Sequence, residues 1–203
     1  MKCFFALALL ISTQCYSQNL IDFNDYKNKT DQRLMLGLGS WATLNFVAGG
    51  IGWATAPNQE MKSFHQMNVL WNTVNIALAV PGYIRAKKGN PDMSFFETMS
   101  AQQKTEKIFL INSGLDIGYI SAGLLLRSEA KTNLEKRDQF TGFGNGLILQ
   151  GGFLLLFDMT AYFIHNRHRK RSLNPLFEKM ELSNSGFGVT WNLSASQSNR
   201  LKL

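Results

Sequence analysis

A small set of polar side chains lies inside stretches of the chain that are otherwise apolar, and these residues have types and spacing suited to chemistry. Three of them, Asn68, Asn72 and Asn75, fall at i, i+4 and i+7, which places them on one face of a helix. An unpaired amide in hydrocarbon costs several kcal/mol, so we expect this face to turn toward other helices. The remaining members of the set are Asn112, Asp116, Gln150 and Asp158.

Asp116 and Asp158 are the sharpest signals, because a carboxyl group at membrane depth must be paired, hydrated or protonated. No Lys or Arg interrupts the apolar stretches to pair with them. The sequence therefore predicts a protonated carboxyl group that is hydrogen-bonded to Asn72 or Gln150.

Two interpretations stay open for the whole set. One is a cavity or path for a proton or cation. The other is a group of interhelical hydrogen bonds, which the predominance of amides favours.

The histidines argue against a metal centre. His65 opens one apolar stretch, whereas His165 and His168 lie beyond the far end of another, across the predicted bilayer. They are not placed to share a ligand, and no His/Asp/Glu cluster at ligand spacing accompanies them. The chain also lacks a nucleophile elbow, a P-loop and a dinucleotide-binding fingerprint. We expect no metal, no cofactor and no enzymatic activity.

The elements that must position these side chains are apolar stretches long enough to cross a bilayer. Together they predict an all-α fold, a four-helix transmembrane domain over residues 34–165. The short connection 57–63, which begins with Pro57, makes the first two helices antiparallel neighbours. A faint repeat aligns Ser40 with Ser113 and Gly50 with Gly123, which predicts two helical hairpins in tandem. The predicted spans are 34–56, 64–84, 108–126 and 142–164.

The connecting segments carry helix-start and strand signals. Thr30 is placed to cap the first membrane helix, and Ser94 to Glu97 form a capping box for a short amphipathic helix that ends near Lys107. The tail, residues 166–203, begins with a basic cluster and is otherwise predicted to be soluble. Alternating apolar residues over 187–193 predict a strand that pairs with 176–182 as a β-hairpin.

The N-terminus has the composition of a secretory signal. Lys2 precedes an apolar run over 4–11 and a polar segment that holds Cys15, so residues 1–17 are predicted to be a signal peptide cleaved after Ser17. The polar segment 18–33 follows. The net charge is +7, from 21 Lys and Arg against 14 Asp and Glu, and the cations flank the apolar stretches. That placement suits anionic lipid head groups better than nucleic acid.

The distribution of charge conflicts with this topology. A cleaved signal and four spans leave most of the flanking basic residues outside, against the positive-inside rule. The outside set is Lys27, Lys29, Arg33, Arg85, Lys87, Lys88, Lys104, Lys107, Arg167, Arg169, Lys170 and Arg171, and the inside set is Lys62, Arg127, Lys131, Lys136 and Arg137. Either the start is not an exported signal, or one stretch does not cross, or the protein breaks the rule.

Two motifs carry a resemblance to a protein family. One is His65-Gln66-Met67-Asn68-x-x-Trp71-Asn72-x-x-Asn75, and the other is Gln150-Gly151-Gly152-Phe153-Leu154-x-x-Phe157-Asp158. With them the chain resembles, over residues 30–165, an uncharacterised family of small multi-pass membrane proteins from Bacteroidota-type bacteria. The resemblance implies the membrane class and the interest of these positions, and it says nothing about substrate.

The sequence therefore predicts an integral protein of the bacterial inner membrane with a structural or interaction role. Its expected partners are the lipid bilayer and another protein or a second copy, without nucleic acid. The alternative is a small transporter or channel-like protein that uses the polar set, with Asp116 and Asp158 as its ionisable groups.

Overall fold

Four long helices joined by short connections make up most of the described chain. The computed structural model describes the backbone of residues 2–175, 180–183 and 186–189, and the side chains of residues 19–175. The helices are α1 (Lys2–Thr55), α2 (Gln59–Lys87), α3 (Phe95–Glu129) and α4 (Arg137–His168), and α4 continues into a short π-helix, Arg169–Leu173. The predicted all-α class is confirmed for residues 2–175.

Local signals explain where several helices begin and end. α1 ends at Thr55, two residues before Pro57, which lacks a backbone donor. Asn58 caps α2, because its side chain accepts a hydrogen bond from the backbone N–H of Met61 at 2.9 Å. The capping box at the start of α3 is confirmed: Ser94 Oγ accepts from the backbone N–H of Glu97, whose carboxylate accepts from the backbone N–H of Ser94.

Two predicted boundaries are wrong. The capping box does not open a separate amphipathic helix ending near Lys107; it opens α3, which runs without interruption to Glu129. Thr30 caps no helix, because it lies buried inside α1. In both places the polar residues face other helices outside the apolar zone, so the change in composition marks a change of surroundings and not a helix end.

The helices pack as two hairpins. α1 packs along α2, α3 along α4, and α2 also packs along α4, so α2 and α4 form the centre. Leu38, Ala79 and Leu154 form the apolar core between them, with Trp71, Phe153 and Phe157 packed around it. α3 and α4 approach most closely where glycines face each other: a Cβ at Gly123 would lie 2.7 Å from the carbonyl oxygen of Gly144, and the converse holds at Gly144. The tandem repeat itself stays a prediction.

Three of the described helical segments are long and apolar enough to cross a membrane: Asn19–Thr55, Phe95–Glu129 and Arg137–Leu173. α2 is not among them, although its 29 residues give it a length of about 43 Å. Its row of asparagines lowers the hydropathy of the helix. The predicted signal peptide, residues 1–17, lies within α1 in a part whose side chains are not described, so it stays a prediction.

The tail contains two short strands, β1 (Met180–Ser183) and β2 (Gly186–Val189), which pair antiparallel with Ser183 opposite Gly186 and Met180 opposite Val189. The predicted hairpin was longer, and its turn and outer ends lie outside the described residues. The hairpin as a unit therefore stays a prediction.

Candidate functional site

The asparagine row of α2 is buried, as its spacing predicts. Asn68, Asn72 and Asn75 are each at most 3% exposed. Much of their hydrogen bonding is within the helix: Asn68 Nδ2 donates to the carbonyl of Phe64 at 2.9 Å, and Asn72 Nδ2 donates to the carbonyl of Asn68 at 2.8 Å. Asn75 Nδ2 donates to Asn72 Oδ1 at 3.3 Å. Each Nδ2 of the row therefore donates one hydrogen bond within α2, and the amide oxygen of Asn68 is left for a neighbouring helix.

Hydrogen-bonded side chains connect α1, α4 and α2 across the interior. Trp41 Nε1 donates to Gln150 Oε1 at 3.3 Å, and Gln150 Nε2 donates to Asn68 Oδ1. The Trp41 ring also stacks on Phe153, with 3.8 Å between ring centroids. Because Gln150 is fully buried, both ends of its amide depend on these partners. This network fixes the relative register of the three helices.

Asp116 and Asp158 lie together, one from α3 and one from α4, and they are 2% and 4% exposed. Both side chains line the same cavity, close enough for the two carboxyl groups to interact. The predicted partners are wrong, because Asn72 and Gln150 bond elsewhere. Asp116 Oδ2 is buried without a hydrogen-bond partner among the described residues. Two ionised carboxylates that share a buried cavity repel each other, and a shared proton or a bound cation would relieve that repulsion.

Both carboxyl groups line a cavity of about 200 Å³ between α2 and α3, whose floor is formed by α4. Asn75 and the half-buried Asn112 line the same cavity. Trp71 and Tyr119 close it on the side of the 130–136 connection, where their rings meet edge to face at 4.6 Å. The structure therefore brings Asn75, Asn112, Asp116 and Asp158 into one cavity. It places Asn68, Asn72 and Gln150 in the adjoining network.

A second polar cluster lies outside the apolar stretches, where α3 begins and α4 ends. Glu106 is 7% exposed and receives two hydrogen bonds from the guanidinium of Arg169, at 2.8 and 3.1 Å. Gln102 and Asn166 also donate to this carboxylate. Burial by itself would raise the pKa of Glu106, but the bonds from Arg169 and Gln102 outweigh it and hold the pKa below its ordinary value. This is a strong, charge-assisted contact between α3 and α4.

Asp31 of α1 extends this cluster. Its carboxylate lies 2.7 Å from Lys27 Nζ and 3.0 Å from Nε2 of His165, a histidine that is 1% exposed. Burial opposes ionisation, but the close approach of His165 and the charge of Lys27 lower the pKa of Asp31 below its ordinary value of 3.8. His165 stacks on Phe109 in turn. Residues of α1, α3 and α4 therefore meet in one network at this end of the molecule.

Sequence reasoning missed this cluster because Arg169 reads as part of a basic stop signal and Glu106 as part of a solvated connector. The one available signal was the spacing of Gln102 and Glu106 at i and i+4. Among the described residues, no group of three or more His, Cys, Asp or Glu side chains is arranged to hold a metal ion.

No curated protein and no solved structure matches this chain. A family model does match, over residues 37–159, which is more than half of the chain. The matched region begins in α1 and ends one residue after Asp158, so it contains every member of the predicted polar set. The chain belongs to DUF6992, a family of unknown function.

Proposed function

We propose that this protein is a four-span integral protein of the bacterial cytoplasmic membrane with a structural or interaction role and no enzymatic activity. The observation that carries the proposal is an inverted distribution of polarity. Asn72 and Gln150 are fully buried, whereas Leu44, Leu125 and Leu156 are at least 70% exposed. Water would select the opposite arrangement, and a surface this apolar fits lipid.

The position of α2 supports a fourth span. It packs along α1 and α4, both of which contain segments apolar enough to cross a membrane. Its exposed face carries Leu70, Val74 and Leu78, and its asparagines face inward. A helix with an apolar outer face and a polar inner face is suited to lie among membrane helices at full depth.

The interior supports a structural role. The Trp41–Gln150–Asn68 connection holds three helices by hydrogen bonds that water does not compete for. Because the helices cannot shift against each other, the bundle presents the same lipid-facing surface and the same polar ends to a partner. The proposed partners are the bilayer and a second membrane protein or another copy of this chain, and nucleic acid is not one of them.

A matched pair of lysine substitutions tests the membrane assignment. Leu156 is 72% exposed on the apolar stretch of α4, and Leu134 is 74% exposed in the connection before α4. In lipid, Leu156→Lys disfavours insertion by about 2.5–3.5 kcal/mol near the helix centre, and Leu134→Lys has little effect. The readout is the fraction that remains in membranes after alkaline carbonate extraction. Equal retention of both variants, or release of the parent protein by carbonate, would refute the proposal.

A second candidate function is transport or conduction of protons or small cations, which the Asp116–Asp158 pair favours. Buried, adjacent carboxyl groups with an unpartnered oxygen in a cavity are suited to exchange a proton or bind a cation. The protein would be reconstituted in vesicles and proton flux followed with an internal pH-sensitive dye. Asp116→Asn and Asp158→Asn should abolish the flux, and Asp138→Asn, at the exposed start of α4, should keep it. No flux from the parent protein would leave the structural role as the function.

A further inference from the structure

A second cavity lies in the gap between α2 and α3, farther from the carboxyl pair and next to the connection between these two helices. It has a volume of about 470 Å³, within the usual range of ligand sites. Its walls come from residues 27–35 of α1, the end of α2 and the connection after it, and the first turns of α3. The gap exists because α2 packs mainly on α1 and α4, whereas α3 packs mainly on α4 and meets α1 only near its first turns. We call it the interfacial cavity.

The lining of the interfacial cavity is amphiphilic. Lys27, Arg85 and Lys104 supply positive charge, and Met35, Ile108 and Phe109 supply an apolar wall. The Met35 side chain lies directly over Gly82, where a Cβ would be 2.6 Å from its sulfur. The close contact of α1 and α2 at this point therefore gives the cavity an apolar edge.

The charge of the cavity is unbalanced. Its one carboxylate, Asp31, is already 2.7 Å from Lys27 and 3.0 Å from His165. Arg85 and Lys104 are exposed and form no ion pair among the described residues. Two cations are therefore available to an anion that enters from the bilayer or from water.

The depth of the cavity identifies the kind of anion. Arg85 directly follows the apolar stretch of α2, and Ile108 begins the apolar stretch of α3. The cations therefore lie at head-group level, and the apolar wall lies on the hydrocarbon side of them. Basic pockets between membrane helices at this level are suited to anionic lipid head groups.

We propose that the interfacial cavity binds the phosphate head group of an anionic phospholipid, with Arg85 and Lys104 contacting the phosphate and Met35, Ile108 and Phe109 contacting the first carbons of the chains. This inference goes beyond the proposed function, because it assigns a specific lipid site instead of general contact with the bilayer. It does not depend on the role of Asp116 and Asp158.

The test is titration of the purified full chain in detergent with phosphatidylglycerol, followed by native mass spectrometry. Phosphatidylcholine with the same acyl chains is the neutral lipid, and inorganic phosphate is the free anion. We expect saturable binding of phosphatidylglycerol that phosphatidylcholine and phosphate do not reproduce. Removing both cations, in Arg85→Gln/Lys104→Gln, should weaken binding about thirtyfold, or about fivefold for each cation.

The matched control is Lys87→Gln/Lys107→Gln, which removes the same charge from the same two helices at exposed residues outside the cavity lining. It should change the affinity by less than about twofold, and both double variants should melt at the temperature of the parent protein because the altered side chains are exposed. Equal loss in the two double variants would overturn the proposal in favour of general attraction to the basic end. Equal affinity for both lipids, or full competition by phosphate, would also overturn it.

Discussion

At the scale of single residues, buried polar side chains hold the interior together, as Gln150 does when it bonds Trp41 and Asn68 at once. The i, i+4, i+7 spacing was enough to place Asn68, Asn72 and Asn75 inside, because one helical face follows from the period alone. The pairing of Asp116 with Asp158 depends on how α3 and α4 are rotated against each other. Single-helix patterns carry no such information, and so Asn72 and Gln150 were wrongly expected as carboxyl partners.

The contact between Glu106 and Arg169 should stabilise the fold strongly. Glu106→Ala leaves the guanidinium of Arg169 without its two charge-assisted bonds, and we expect a loss of about 3 kcal/mol in the free energy of unfolding. Denaturation in detergent measures the loss. Asp25→Ala is the control, because the Asp25–Lys29 pair is exposed and should contribute less than about 0.5 kcal/mol. Equal effects of the two substitutions would contradict the assignment.

Asp31 should make stability depend on pH on the acidic side. Its pKa is lower in the folded protein than in the unfolded chain, so folding favours the ionised form. The contribution is therefore complete above the ordinary value of 3.8 and disappears as pH falls through the lowered folded-state pKa. At about pH 7 the melting temperature of the parent protein should be higher than that of Asp31→Asn, and the difference in melting temperature should shrink toward about pH 3. A difference that is constant over this range would show that the Asp31 charge is not involved.

At the scale of helices, composition predicted where the apolar segments lie but not how far each helix continues. The sequence predicts that the third helix begins near residue 108, yet α3 begins at Phe95. Its first turns pack against α1 and the end of α4 instead of facing water. A polar segment that satisfies its side chains on a neighbouring helix has no reason to unwind. Sequence patterns that equate polarity with a connector miss such extensions.

The close approach of α3 and α4 gives a prediction at this scale. Gly123→Ala introduces a methyl group 2.7 Å from the carbonyl oxygen of Gly144, so the helices must separate. We expect a loss of about 1–3 kcal/mol in the free energy of unfolding. Gly118→Ala on the same helix meets nothing within 4 Å and should be neutral or stabilising by up to about 1 kcal/mol. Thermal unfolding in detergent compares them, and a loss in Gly118→Ala equal to that in Gly123→Ala would exclude packing as the cause.

At the scale of the molecule, the structure places residues 19–33, the α2–α3 connection and the end of α4 at one end, joined by the Asp31–His165 and Glu106–Arg169 contacts. This end carries most of the basic residues. The positive-inside rule then predicts that it faces the cytoplasm. Charge counting over the predicted spans grouped these basic residues on one side, in conflict with the signal-peptide interpretation. The contacts between α1, α3 and the end of α4 agree with that grouping.

Cysteine accessibility tests both the orientation and the number of spans. Single cysteines at Asn58, Asn90 and Thr132, in a background with Cys3→Ser and Cys15→Ser, would be labelled with a membrane-impermeant maleimide on intact spheroplasts. We expect labelling at 58 and 132, and at 90 only after permeabilisation, because the connections alternate sides in a four-span chain. Labelling of 58 and 90 from the same side would show that α2 does not cross, and the inverse pattern would support a cleaved signal.

The uninterrupted length of α3 has a mechanical consequence. Its 35 residues extend about 52 Å, against about 30 Å for the hydrocarbon layer of a bilayer. No break separates the apolar part of α3 from the first turns, which carry Glu106. The helix therefore moves as one rigid rod, and its tilt in the lipid sets the lateral position of its polar end. A thinner bilayer, which increases helix tilt, would therefore shift the polar end of the protein sideways along the membrane surface.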